Sequence, residues 1–103
     1  MYIILSVFSL TCAAVYIKQG HKATLSATVN LDVLQYTLSW SIGDEEKETC
    51  DSDETCGRDG VRFEYTTERI TSPVLTTYSV EMKLTDLEQE TASCSGTLAV
   101  IGK

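Results

Sequence analysis

The sequence predicts a single all-β domain built as an antiparallel sandwich, and three observations predict it. Apolar and polar residues alternate with period two over five separate segments, the pattern of a strand with one buried face. No stretch of useful length spaces its apolar residues by three and four, so no helix competes. The chain has 103 residues, enough for one modest core and too few for two.

The segments follow in order. Gly20 to Lys22 reads as a turn. Residues 23–31 come next, with Leu25, Ala27, Val29 and Leu31 on one face and Thr24, Ser26, Thr28 and Asn30 on the other. Residues 34–42 alternate more cleanly, with Leu34, Tyr36, Leu38, Trp40 and Ile42 against Gln35, Thr37, Ser39 and Ser41. A helix would scatter these aromatics around its surface. Gly43 and an acidic run end that strand. Residues 61–67 resume with Val61, Phe63 and Tyr65 on one side. Ile70 to Leu75 reads as a bend broken by Pro73, the sole proline. Residues 77–84 place Tyr78, Val80, Met82 and Leu84 inward. Thr85 to Glu90 is a polar hairpin connection. Residues 92–101 close the series, with Cys94, Gly96, Leu98 and Val100 on one face. Five or six such strands bury their apolar faces only by packing face to face. The expected fold class is an immunoglobulin-like antiparallel β-sandwich.

The net charge is −7. A nucleic-acid binder needs a positive field over the phosphates, so that partner class is excluded. Anionic membrane surfaces are disfavoured for the same reason. Eight carboxylates fall between Asp44 and Asp59, against Lys47 and Arg58. The simplest reading is a solvated acidic loop; a calcium loop or a surface for a basic partner are the alternatives. The twelve-residue loop with a central glycine and final glutamate is absent, which removes the helix–loop–helix calcium site.

Residues 1–17 are apolar and uncharged. They are too short for a transmembrane helix, so an integral membrane protein is not expected. The run into Cys12, Ala13 and Ala14 resembles a secretory signal, although it lacks a positive first region. Read instead as structure, Tyr2, Ile3, Ile4, Val7 and Phe8 favour a first strand. The division is thus residues 1–14 as signal peptide or N-terminal strand, and 15–103 as the sandwich. Four cysteines fit a secreted protein. Cys50 and Cys56 are spaced to close a short loop between two strands. Cys94 has Cys12 as its available partner if Cys12 survives processing. Cutting after Ala14 leaves three cysteines. With His21 the sole histidine, neither a metal site nor a Ser-His-Asp or Cys-His constellation can be assembled. An enzyme is not expected, nor any cofactor.

Several segments resemble the ML family of lipid-recognition domains, to which the endosomal cholesterol carrier, MD-2 and group 2 mite allergens belong. VYIKQGHKATLSATV, downstream of Cys12, is similar to the family's opening strand and its basic-glycine turn. Cys50 and Cys56 have its short polar loop spacing. CGRDGVRFEYTT resembles its second cysteine, glycine turn and aromatic strand. TYSVEMKLTDLEQETASCSGTLAVI resembles its C-terminal hairpin. The family's cysteine near the mature N-terminus, which pairs with the last strand, has no counterpart here, so the Cys94 partnership stays open. The resemblance implies an apolar cavity between splayed sheets for a sterol, fatty acid or lipid tail, in a secreted protein or one of the endosomal or lysosomal lumen. It also implies that a receptor protein is a candidate partner.

On that reading the cavity candidates are Leu25, Val29, Leu38, Trp40, Phe63, Tyr65, Val80, Met82 and Leu98. Gly96 and Ala27 opposite Tyr36, Trp40 and Tyr78 mix small with large side chains and leave a gap if the sheets spread. Lys18, His21, Lys22, Arg58, Arg62 and Arg69 are candidates for anionic headgroups at its mouth. The second reading is an immunoglobulin-like adhesion or receptor-binding domain with a filled core. Trp40 followed by a distant strand cysteine favours it. Against it, residues 26–28 read Ser-Ala-Thr where a strand cysteine would stand, and Ala92 occupies the tyrosine position before Cys94.

Overall fold

A computed structural model describes residues 8–54, 56–85 and 90–102. These residues form nine strands and no helix. In chain order they are β1 (Leu10–Cys12), β2 (Val15–Lys18), β3 (His21–Val29), β4 (Tyr36–Ile42), β5 (Glu45–Asp51), β6 (Arg58–Asp59), β7 (Arg62–Ile70), β8 (Val74–Leu84) and β9 (Thr91–Ile101). A four-stranded sheet runs β1-β3-β7-β6, and a five-stranded sheet runs β2-β9-β8-β4-β5. Every pairing is antiparallel except β2 with β9, which is parallel. The first strand is therefore divided. β1 pairs with β3 through Leu10↔Val29 to Cys12↔Ala27, and after Ala13 and Ala14 the chain crosses to the other sheet.

The period-two pattern places the core as expected from the sequence. Leu25, Ala27 and Val29 of β3, Tyr36, Leu38 and Trp40 of β4, Phe63 of β7, Tyr78, Val80 and Met82 of β8, and Leu98 and Val100 of β9 are all buried between the sheets. The pattern misleads where a strand ends. Leu34 continues the alternation of β4 but precedes its first paired residue and is 73% exposed. Val61 likewise lies just before β7 and is 39% exposed. Alternation marks a buried face only where a partner strand fixes the backbone.

Two segments read as loops are strands. The acidic run is not a solvated loop through its first half, because Glu45–Asp51 is an edge strand paired with β4. Its exposed Glu45, Glu46, Lys47 and Glu48 put charges on a sheet edge, which discourages pairing with another chain. Gly43, at φ +60°, supplies the positive φ that a two-residue hairpin needs at its first central position. The expected bend at 70–75 is shorter than read. β7 runs through Ile70 and β8 starts at Val74, which leaves only Thr71, Ser72 and Pro73 between them. The proline stands outside both ladders, where its missing N–H costs nothing. Residues 86–89 of the β8–β9 connection and residues 1–7 of the N-terminal segment lie outside the described residues.

Two disulfides tie the sandwich. Cys12 of β1 joins Cys94 of β9, with Cα atoms 5.6 Å apart, and links the two sheets. Cys50 of β5 joins Cys56, with Cα atoms 5.9 Å apart. Gly57 follows at φ +64°, and a Cβ there would lie 2.1 Å from the Glu64 carbonyl oxygen. Only glycine lets that turn lie against β7, where the Glu64 N–H donates to the Gly57 carbonyl at 3.1 Å.

Candidate functional site

The region between the sheets is packed by its own side chains. Leu25, Leu38, Phe63 and Met82 are fully buried, and Val29, Trp40, Val80 and Leu98 are 1% exposed. Tyr65 is half-buried at the margin. Two tyrosine rings stack near Trp40. Tyr65 of the opposite sheet is 5.9 Å away at 28°, and Tyr78 of the neighbouring strand is 6.5 Å away at 25°. Tyr36 meets Phe63 edge-on across the sheets at 5.5 Å. Such contacts add to the burial of large aromatic surfaces.

The space expected beside Gly96 is occupied. Gly96 pairs with Tyr78 across the β8–β9 ladder. A Cβ on Gly96 would lie 2.7 Å from the Tyr78 ring and 2.8 Å from the Ala13 carbonyl oxygen. The glycine therefore lets the Tyr78 ring lie flat over β9. Its hydroxyl is shared between the carbonyls of Ala13 and Ser26, the latter at 3.0 Å. Burial pushes the Tyr78 phenol above its ordinary pKa. One side chain thus pins the crossover from β1 to β2 against β3. The small-against-large mixing read as a gap is the socket of this tyrosine.

The basic candidates do not converge on one mouth. Arg58 closes the far end of the sandwich. Its guanidinium stands 5.5 Å from the Tyr36 ring and 5.4 Å from the Phe63 ring. It donates to the carbonyls of Gly60 at 2.7 Å and Val33 at 2.8 Å, and to Asp32 at 2.7 Å. Arg62 pairs with Glu64 at 3.0 Å on the surface. Lys18, His21, Lys22 and Arg69 gather at the opposite end around the Gly20 turn, where Arg69 donates to the Gly20 carbonyl at 2.9 Å.

At that same end the sheets part. An open cleft of about 530 Å³ is lined by Ile42, Tyr65, Ile70, Val74 and Leu98, with Lys47, Glu68 and Arg69 at its rim. Only Tyr65 and Leu98 of the nine cavity candidates reach it. Lys47 is engaged by Glu45 at 2.9 Å, and that hydrogen bond holds its ammonium above the usual lysine value. Around the corner, on the outer face of the five-stranded sheet, Tyr16, Ala99 and Leu75 stand in one cross-strand row. Tyr16 is 67% and Leu75 77% exposed, and Ile101 beyond them is 56% exposed. Sequence reading passed over this row. Its signal was faint: an exposed aliphatic beside the bend at Pro73 and a tyrosine just past the segment assigned as a possible leader.

No family model matches the sequence, and no curated protein matches it significantly. Solved structures do match. The titin domains Z1Z2 in complex with telethonin superpose with a TM-score of 0.66 at 17% identity, over 94% of this chain and 48% of that one. A chimeric titin Z1Z2-Z1Z2 tandem carrying an exogenous fibronectin peptide gives 0.58 at 17% identity, over 89% of this chain and 45% of that one. The chain is an immunoglobulin-like β-sandwich. It spans about half the length of these titin chains, and at such identity the likeness is one of fold. These neighbours are immunoglobulin-like domains, not ML domains.

The fold differs from antibody domains in its staple. Those domains carry an inter-sheet disulfide on their second and sixth strands, against a buried tryptophan. Here Trp40 keeps its place on a central strand, but tyrosine rings replace the disulfide beside it. The inter-sheet bond has moved to the first and last strands, Cys12 to Cys94. Cys94 is therefore not the strand cysteine that Trp40 would accompany, which accounts for the alanine two residues before it.

Proposed function

We propose that this domain is a non-catalytic, extracellular immunoglobulin-like module that binds another protein, as an adhesion or receptor-binding domain with a filled core. The observation that carries the reading is the packing around Trp40. Trp40 is 1% exposed with the rings of Tyr65 and Tyr78 stacked near it, and the socket at Gly96 is filled by Tyr78. A lipid tail between the sheets would have to displace these rings, and close-packed interiors resist such displacement. Eight of the nine residues first assigned to a cavity are at most 1% exposed, which supports their role as core.

The two disulfides fit an oxidising compartment. No helix among the described residues is long and apolar enough to cross a membrane. What the sandwich offers outward is a rigid frame with exposed aromatic and aliphatic groups at one end, the chemistry of interface anchors.

Staining of cell panels with a tetramerised, correctly oxidised domain tests the reading. The expected result is saturable staining that is lost when the cells are first treated with protease. Staining that survives protease and is competed by lipid vesicles overturns it in favour of a lipid in the cleft beside Tyr65 and Leu98.

A further inference from the structure

The two ends of the sandwich differ in charge and are alike in carrying exposed apolar groups. At one end Lys18, His21, Lys22 and Arg69 surround the Gly20 turn, all exposed, with Glu68 as the carboxylate among them. Asp44 and Glu45 sit on the neighbouring β4–β5 hairpin, where Glu45 is tied to Lys47. Leu75 and Ile101 stand exposed at this end. At the other end Asp32, Asp51, Asp53, Glu54 and Asp59 are exposed, with Leu34 and Val61 among them. The cations there are Arg58, held by Asp32 and by the ring faces, Arg62, held by Glu64, and Lys83. Among the described residues, carboxylates thus outnumber cations at this second end and not around the Gly20 turn.

We propose that these ends are the two halves of one contact. The Gly20-turn end of one copy docks on the Asp53 and Asp59 end of a second copy, with Leu75 and Ile101 meeting Leu34 and Val61. The inference rests on reading the domain as a protein-binding module, and it names the partner as a second copy of this chain. Because the contacting surfaces differ, the contact is heterologous and extends copies head to tail instead of closing a pair. The cross-section of the molecule is 28 × 23 Å. An end face of that size offers on the order of 500 Å² per partner, below the roughly 800 Å² of a standard interface. The association is therefore weak and carried largely by charge, so salt weakens it. One lateral edge is guarded against pairing: charges and a register shift interrupt β5, and a second shift interrupts β7 opposite Ala23, beyond the two-residue β6.

Sedimentation velocity over a concentration series tests this with charge-reversed pairs. One variant carries Lys22→Glu and Arg69→Glu, and the other Asp53→Lys and Asp59→Lys; all four positions are exposed. Unchanged Trp40 emission reports that each variant is folded. The wild type sediments faster as concentration rises at low ionic strength, and this rise is lost at about 0.5 M salt, where screening acts within a few ångströms. Each variant alone stays monomeric, and an equimolar mixture of the two regains association. Three results overturn the contact: a wild type that stays monomeric at low salt, association that survives both reversals, or a mixture that does not recover. If the wild type stays monomeric while cell staining persists, the head-to-tail contact falls and the protein-binding reading stands. Staining lost with Lys22→Glu and Arg69→Glu while the wild type remains monomeric gives the basic end to a different protein and overturns the second copy as occupant.

Discussion

Tyr78 and Gly96 form a two-residue device that no alternation pattern announces. The sequence marks Tyr78 as inward, but it cannot say that the ring lies over a glycine on the next strand and reaches the Ala13 carbonyl. Gly96→Ala places a methyl 2.7 Å from the Tyr78 ring and should destabilise the fold by roughly 1–3 kcal/mol, as overpacking does. Denaturant melts measure it, and an unchanged midpoint would contradict the socket. Tyr78→Phe leaves the Ala13 and Ser26 carbonyls without their donor and should cost about 1–2 kcal/mol. The pH dependence has a definite sign. Burial raises the folded-state pKa of this phenol, so the folded state holds the proton more tightly. Its contribution is full below the ordinary tyrosine value of about 10 and is lost as pH rises through the raised folded value. The difference in stability between wild type and Tyr78→Phe should therefore shrink in alkali. A difference that grows there would refute the assignment.

Arg58 was legible only as a scarce cation and was read as a headgroup contact. Its role follows from three segments that converge at one end of the sandwich: Val33 before β4, Gly60 in the β6–β7 turn, and the ring faces of Tyr36 and Phe63. Arg58→Ala should cost roughly 2 kcal/mol, since a charged donor to the part-buried Val33 carbonyl and to the exposed Gly60 carbonyl is lost. The surface-exposed partner Asp32 contributes little by itself. Arg58→Lys should recover little, because an ammonium lacks the planar fork that spans both carbonyls. Full recovery by lysine would show that charge alone matters there.

At the scale of elements, strands were legible and their neighbours were not. Period two located β3, β4, β7, β8 and β9, because each has one face in the core. The edge strand β5 escaped, since its exposed charged residues carry no apolar alternation. The divided first strand escaped as well. β1 and β2 are three and four residues long, too short to show a period against an apolar segment that also reads as a leader. The disulfides differ in the loops they close. Cys12–Cys94 spans 82 residues and Cys50–Cys56 spans 6. On the chain-entropy model the first stabilises by about 4 kcal/mol and the second by about 2 kcal/mol. Replacing Cys12 and Cys94 together with alanine should lower the unfolding midpoint much more than the same change at Cys50 and Cys56. Equal losses would show that β1 is not held to β9 in the oxidised protein. Amide exchange on β1 should also accelerate in the first variant and not in the second.

For the whole molecule, the sandwich was readable because five apolar faces have no other way to leave water. Whether its core closes was not readable, because alternation gives the direction of a side chain and not the distance between sheets. Trp40 decides that question physically, stacked near Tyr65 and Tyr78 with 1% exposure. It is the sole tryptophan, so its emission reports the centre of the sandwich without other labels. The most direct test of a filled core is titration of delipidated, fully oxidised protein with an environment-sensitive fatty acid and, separately, a fluorescent sterol, following ligand emission and Trp40 quenching together. The filled core predicts no saturable change in Trp40 emission with either probe. Saturable quenching of Trp40 at one equivalent of either probe, in a protein of unchanged stability, would contradict it and place a lipid between the sheets.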